Sequence, residues 1–170
     1  MSVFLDSPTR GFGWKELSRK TSLGPPSTKK YIDEMKKDGI VVERKVAGRK
    51  LYFANRENRL YRLYKRLDII LKLEKSGIID FLNTKYGHPA IILFGSHSTG
   101  EATEDSDVDI AVFTESRRDA DLKPFEKAIG RQTHLFRFSK ADIRRMRKEG
   151  KSVYQGLFNG LVISGFAEVI

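Results

Sequence analysis

The sequence has no cysteine, which excludes disulfides and thiolate metal sites. It has no apolar run approaching the roughly 18 residues that a membrane helix needs. The first residues do not show the basic, apolar and small-residue succession of a signal peptide. The expectation is a soluble cytoplasmic protein with no membrane attachment. Asn and Gln are few, while Lys, Arg and Glu are abundant, a balance that suits a thermophile. The 170 residues are enough for one ordinary domain or two small ones.

What the chain does have is positive charge, unevenly spread. The formal net charge is +10. Residues 1–66 hold 17 Lys and Arg against 7 Asp and Glu, and residues 67–170 hold 15 of each. The whole excess lies in the first part, which suggests two modules with the first facing a polyanion. A solubilising surface would give the same balance, so the charge alone leaves both readings open.

The N-terminal part reads as short helices followed by a hairpin. Residues 1–8 form an opening helix with Val3, Phe4 and Leu5 inward, and Trp14 to Lys20 a second with Trp14 and Leu17 inward. Pro25 stands where a first helical residue is favoured, and a third helix runs to Asp38, stopped by Gly39. Thr28, Ile32 and Met35 form its buried stripe, leaving Ser27, Lys29 and Lys30 outward. Residues 40–46 and 50–54 read as strands joined at Ala47-Gly48-Arg49. Helix, turn, helix and basic hairpin resemble the winged helix-turn-helix family over roughly residues 1–55. The resemblance implies that the third helix enters a DNA major groove with Ser27, Lys29 and Lys30 facing the DNA. It also implies that Arg44, Lys45, Arg49 and Lys50 of the wing touch phosphates, contacts that position more than they read sequence. A winged helix used only for protein docking fits the same pattern.

Asn58 to Lys75 carries Leu60, Leu63, Tyr64, Leu67, Ile70 and Leu71 at helical spacing. This is an amphipathic linker helix, whose apolar stripe is expected to pack on its own chain, with self-association as the alternative. Ile78 to Tyr86 reads as a further helix.

The densest chemistry follows. Ile91-Ile92-Leu93-Phe94 is an apolar strand that ends in Gly95-Ser96. After a polar stretch comes Asp107-Val108-Asp109-Ile110-Ala111-Val112-Phe113. Side chains alternate along a strand, so Asp107 and Asp109 share a face while Val108 and Ile110 take the other. Two carboxylates on one face repel unless a cation sits between them, and hard oxygen ligands suit Mg²⁺. The Gly-Ser turn suits phosphate, since Gly allows close backbone approach and amides and hydroxyl can donate. A helix over Leu122–Ile129 leads to the strand Gln132–Phe138. There Thr133 and Leu135 face one side, and His134, Phe136 and Phe138 the other. Ser139 caps a basic helix from Lys140 to Lys148. Lys151 to Asn159 is helical, and Leu161–Val169 closes the domain.

Gly-Ser, ten residues and Asp-x-Asp, set in apolar strands, resemble the minimal nucleotidyltransferases of the polymerase-beta-like superfamily. The resemblance is close over residues 90 to about 138. It implies that Gly95 and Ser96 hold the phosphates of a nucleoside triphosphate, and that Asp107 and Asp109 are catalytic and bind one or two Mg²⁺ ions. The family's third carboxylate falls on the next strand, where this chain has no acid and His134 near the position. Imidazole is a poorer Mg²⁺ ligand than carboxylate. Arg131, Arg137 and Lys140 are further phosphate candidates. His97 either sits over the nucleotide or is an ordinary loop residue.

The expected fold is α/β (α+β) in two domains: a winged helix over 1–56, a linker helix over 57–76, and a nucleotidyltransferase fold over 77–170 with a mixed β-sheet flanked by helices. One functional reading is an enzyme transferring a nucleoside monophosphate, AMP from ATP, to a hydroxyl on a protein, RNA or small molecule. Double-stranded DNA would be the N-terminal partner. The other is a DNA-binding regulator, or an antitoxin-like protein with a small helical partner, whose transferase domain binds nucleotide without turnover. The partners implied are DNA, a nucleoside triphosphate and an acceptor or helical protein, with a homodimer open and no membrane.

Overall fold

Short apolar segments punctuated by Gly and Pro become short elements. The computed structural model describes residues 1–149 and 152–166, and the chain divides into two units. One holds Met1–Lys65 with Thr103–Asp105, the other Arg66–Ala102 with Ser106–Ile170.

The first unit contains helices α1 (Ser2–Asp6), α2 (Trp14–Thr21) and α3 (Pro25–Lys37), then strands β1 (Val41–Val46) and β2 (Arg49–Ala54). Pro opens α3 after Gly24, a position whose missing N–H costs nothing. β1 and β2 pair antiparallel from Val41↔Ala54 to Val46↔Arg49. Ala47 and Gly48 turn the chain with φ of 48° and 74°, the positive dihedrals of a two-residue hairpin that matches strand twist. Phe12 bridges the hairpin, exchanging backbone hydrogen bonds of 2.9 Å with Tyr52 in both directions. The core gathers Phe4, Phe12, Leu17, Ile32, Val41 and Tyr61, with Phe4 edge-on to Phe12 at 5.7 Å. Thr28 and Ile32 are buried and Met35 packs beside them, as the spacing predicts.

Helix α4 (Arg59–Ser76) begins in the first unit and continues into the second. Asn58 Oδ1 accepts from the Tyr61 N–H at 3.0 Å, the side-chain cap expected of Asn at this position. The face it buries is not the one the apolar spacing predicts. Tyr61, Lys65, Ile69 and Leu73 are inside, whereas Leu60, Leu63, Tyr64, Leu67 and Leu71 are exposed. Specific polar partners settle the rotation. Tyr61 Oη donates to the Phe4 carbonyl and Lys65 Nζ to the Leu5 carbonyl, both at 2.8 Å. The buried ammonium thus caps the Leu5 carbonyl in the last turn of α1.

The second unit contains α5 (Ile78–Tyr86), β3 (Ala90–Phe94), α6 (Ser96–Thr99), β4 (Val108–Phe113), α7 (Lys123–Ile129), β5 (Thr133–Phe138), α8 (Lys140–Glu149), α9 (Ser152–Phe158) and β6 (Leu161–Ser164). The sheet runs β5-β4-β3-β6. β3 pairs antiparallel with β4 and β6, and β4 pairs parallel with β5, so the sheet is mixed and flanked by helices. A parallel pair needs a crossover, and α7 lies in it. Leu93, Val108 and Ile110 join Ile78, Leu82 and Leu73 on one side of the sheet. Ile92, Phe94 and Ala111 join Met146 and Leu157 on the other. β3 is buried along its whole length, which is why it reads as an unbroken apolar run.

Ser139 caps α8 reciprocally with Asp142: Ser139 Oγ donates to the Asp142 carboxylate at 2.6 Å and accepts from the Asp142 N–H at 3.1 Å. The polar stretch after Gly95 starts with the single helical turn of α6. Lys151, at the start of the expected helix Lys151 to Asn159, lies outside the described residues, as does the end of the expected segment Leu161–Val169 beyond residue 166. Among the described residues no helix is long and apolar enough to cross a membrane.

Candidate functional site

The acidic site is made where three strands come level. Phe94, the last residue of β3, pairs with Asp109 of β4, and Asp109 pairs with His134 of β5. The Val108 N–H holds that register by donating to the Gln132 carbonyl at 2.9 Å, while the Thr133 N–H donates to the side-chain Oε1 of Glu126 at 2.8 Å and so ties the start of β5 to α7. With Val108 and Ile110 fully buried, Asp107 and Asp109 must point the other way. His134 Nδ1 lies 3.5 Å from Asp109 Oδ1, and His134 Nε2 lies 3.9 Å from Asp107 Oδ2. The predicted trio is therefore brought together, with the imidazole between the two carboxylates.

Burial is the main influence on Asp109, whose side chain is 28% exposed, and it pushes the carboxyl pKa up. Asp107 adds to the rise, while the His134 ring pulls in the opposite direction without cancelling it. Water lost from the carboxylate outweighs an imidazole that is itself half in solvent.

Gly95 has φ of 70° and ψ of −156°, a region essentially closed to other residues. A Cβ built there would lie 2.6 Å from Asp109 Oδ2. Gly95 thus seats the Asp109 carboxylate against the backbone, a requirement that no spacing in the sequence announces. Ser96 opens α6 beside it, half-exposed. Ser98 Oγ turns back to donate to the Gly95 carbonyl at 2.8 Å.

Several outlying candidates lie elsewhere. His97 is buried, its Nε2 3.4 Å from the Ser106 carbonyl oxygen. Arg137 pairs with Val112, three positions along the sheet from the acids, about 10 Å at strand rise. Its guanidinium donates to the Arg117 and Arg118 carbonyls and meets Asp119 at 2.8 Å. Lys140 follows β5 at that same far end, its N–H donating to Glu115. Arg131 stays at the near end of β5. Phe136, exposed on the face of His134, stands with its ring 5.2 Å from that of Phe94. The alternation His134-Phe136-Phe138 was the signal for this aromatic neighbour.

Among the described residues no group of three or more His, Asp and Glu side chains is arranged to hold a metal ion. Asp107 and Asp109 alone still fit Mg²⁺ in its usual form, where one or two carboxylates share it with water and substrate phosphates.

The candidate DNA-facing residues of the first unit are all exposed: Ser27, Lys29 and Lys30 on α3, Arg44 and Lys45 on β1, Arg49 and Lys50 on β2. Three have protein neighbours. Lys29 Nζ lies 5.2 Å from the Trp14 ring centroid, Arg44 stacks 5.4 Å from that of Phe53, and Lys50 Nζ meets Glu43 at 2.9 Å.

No curated protein matches the chain. A provisionally named nucleotidyltransferase from Sulfolobus solfataricus, known from its crystal structure, is similar at 11% identity and a TM-score of 0.33, over 50% of this chain and 79% of that one. The family model described as "Nucleotidyltransferase domain" matches residues 75–154, a stretch that includes the Gly95-Ser96 turn, both carboxylates and His134.

Proposed function

We propose that the chain transfers a nucleoside monophosphate, AMP from ATP, to an acceptor hydroxyl, and that its N-terminal unit binds DNA as a winged helix. The observation that carries the transfer reading is the Asp107–Asp109 pair level with Gly95-Ser96 inside a nucleotidyltransferase domain. Such domains use a nucleoside triphosphate and a divalent metal. In this reading the Gly95-Ser96 turn holds the phosphates, and Asp107 and Asp109 hold Mg²⁺. When bound, that ion neutralises charge on the triphosphate and on the leaving pyrophosphate. The acceptor oxygen bonds to the α-phosphorus, the bond to the β-phosphate oxygen breaks, and the hydroxyl proton passes to solvent.

A second reading rests on His134. An imidazole where the family pattern places a third carboxylate favours a regulator, or an antitoxin-like protein, that binds nucleotide without turnover. Incubation with α-labelled ATP, Mg²⁺ or Mn²⁺ and protein, RNA or small-molecule acceptors separates the two. Transfer that disappears in the Asp107→Ala/Asp109→Ala variant supports the enzyme. Transfer that survives it removes the site, and ATP binding without transfer favours the regulator.

A further inference from the structure

Helix α4 carries Leu60, Leu63, Tyr64, Leu67 and Leu71 in solvent, each 39–51% exposed. Leu60, Tyr64, Leu67 and Leu71 follow the four-three-four spacing of a helix seam, with Leu63 alongside. No charged side chain interrupts the stripe over these positions. Single exposed leucines need no explanation, but a contiguous apolar stripe on one helix marks an interface.

The first unit also holds an open apolar groove of about 550 Å³, formed by α1, α2, α3 and the start of α4. Leu23 and Tyr31 stand exposed in its wall, and Glu34 and Asp38 give it an acidic side. Tyr64 belongs to both features: it lines the groove and lies on the stripe.

These surfaces complement each other. The stripe has Arg59 and Arg66 along one edge, by helical geometry, and the groove offers Glu34 and Asp38. In a two-fold dimer the same patch is used by both copies, so a stripe and a groove that share Tyr64 can each meet the other's counterpart at once. We infer that the protein is a homodimer, in which the apolar stripe of α4 from each copy seats in the groove of the other, with the two Tyr64 side chains at the axis. Arg59 and Arg66 of each copy then meet Glu34 and Asp38 of its mate. This dimer is independent of whether the acidic site turns over nucleotide.

Sedimentation equilibrium of the full chain tests it. The expected result is a dimer for the wild type and a monomer for Leu63→Asp/Leu67→Asp, whose circular dichroism stays near wild type because neither side chain is buried within the single chain, and whose melting temperature, unlike that of the wild type, does not depend on protein concentration. Glu34→Arg weakens the dimer at least tenfold, and adding Arg59→Glu restores it by exchanging the charges. A monomeric wild type, or a dimer that persists in the double Asp variant, overturns the proposal. A dimer indifferent to Glu34→Arg overturns the seating of the stripe in the groove.

Discussion

Gly95 and Asp109 depend on each other. The backbone at Gly95 lies in a region that costs another residue roughly 1–3 kcal/mol, and the space a Cβ would need is filled by Asp109 Oδ2. Gly95→Ala is therefore expected to lower unfolding free energy in urea by about that amount and to displace the carboxylate, so that nucleotide transfer falls further than stability does. Asp109 itself carries a burial cost. Its pKa is raised in the folded chain, so the native state binds the proton more tightly than the unfolded one. Stability then declines as pH rises from the unfolded to the folded pKa, and at neutral pH the cost is fully present. Asp109→Asn keeps the shape and removes the charge. It is expected to melt above wild type at pH 7, with the difference shrinking once pH falls below both pKa values, while transfer is lost. Equal melting temperatures at pH 7 would contradict this account.

At the scale of elements, α4 shows how far periodicity reaches. Its helical spacing and its start at Asn58 are legible from the sequence, but its rotation is not. The spacing points to the leucine-rich face, whereas the structure buries the one holding Tyr61, Lys65, Ile69 and Leu73. A lysine argues against burial by composition, and the carbonyls of Phe4 and Leu5, brought up by α1, accept from Tyr61 and Lys65 while Ile69 and Leu73 join an apolar core. The consequence is measurable. Leu73→Ala, at a site with no exposure, should cost about 2–5 kcal/mol. Leu71→Ala, two residues earlier, should cost under about 0.5 kcal/mol in the monomer. Urea denaturation of the two variants at low protein concentration decides which face is inside. β3 and β4 were far easier to read, since full burial and strict alternation leave little choice of face or register.

At the scale of the molecule, the charge excess of residues 1–66 implies a binding term that scales with counterion release. If the first unit binds DNA through α3 and the hairpin, log affinity falls linearly with log salt. Replacing Lys30 by Ala should then reduce that slope by about one, uniformly across sequences. Fluorescence anisotropy with a labelled duplex at several salt concentrations measures it, and an affinity independent of salt would refute the basic-face reading.

The sequence by itself determined the strands, the shared face of Asp107 and Asp109, the glycine turn before them and the histidine beyond them, because alternation and local backbone preference act over a few residues. Tertiary structure alone decided that His134 stands between the two acids, that Gly95 is needed to make room for Asp109, that His97 is buried, that Arg137 binds the loop at the far end of the sheet, and that the leucine face of α4 looks outward. Each of these depends on which distant backbone groups arrive beside a side chain, and hydrogen-bond satisfaction between such groups overrides the preference that a local pattern can express.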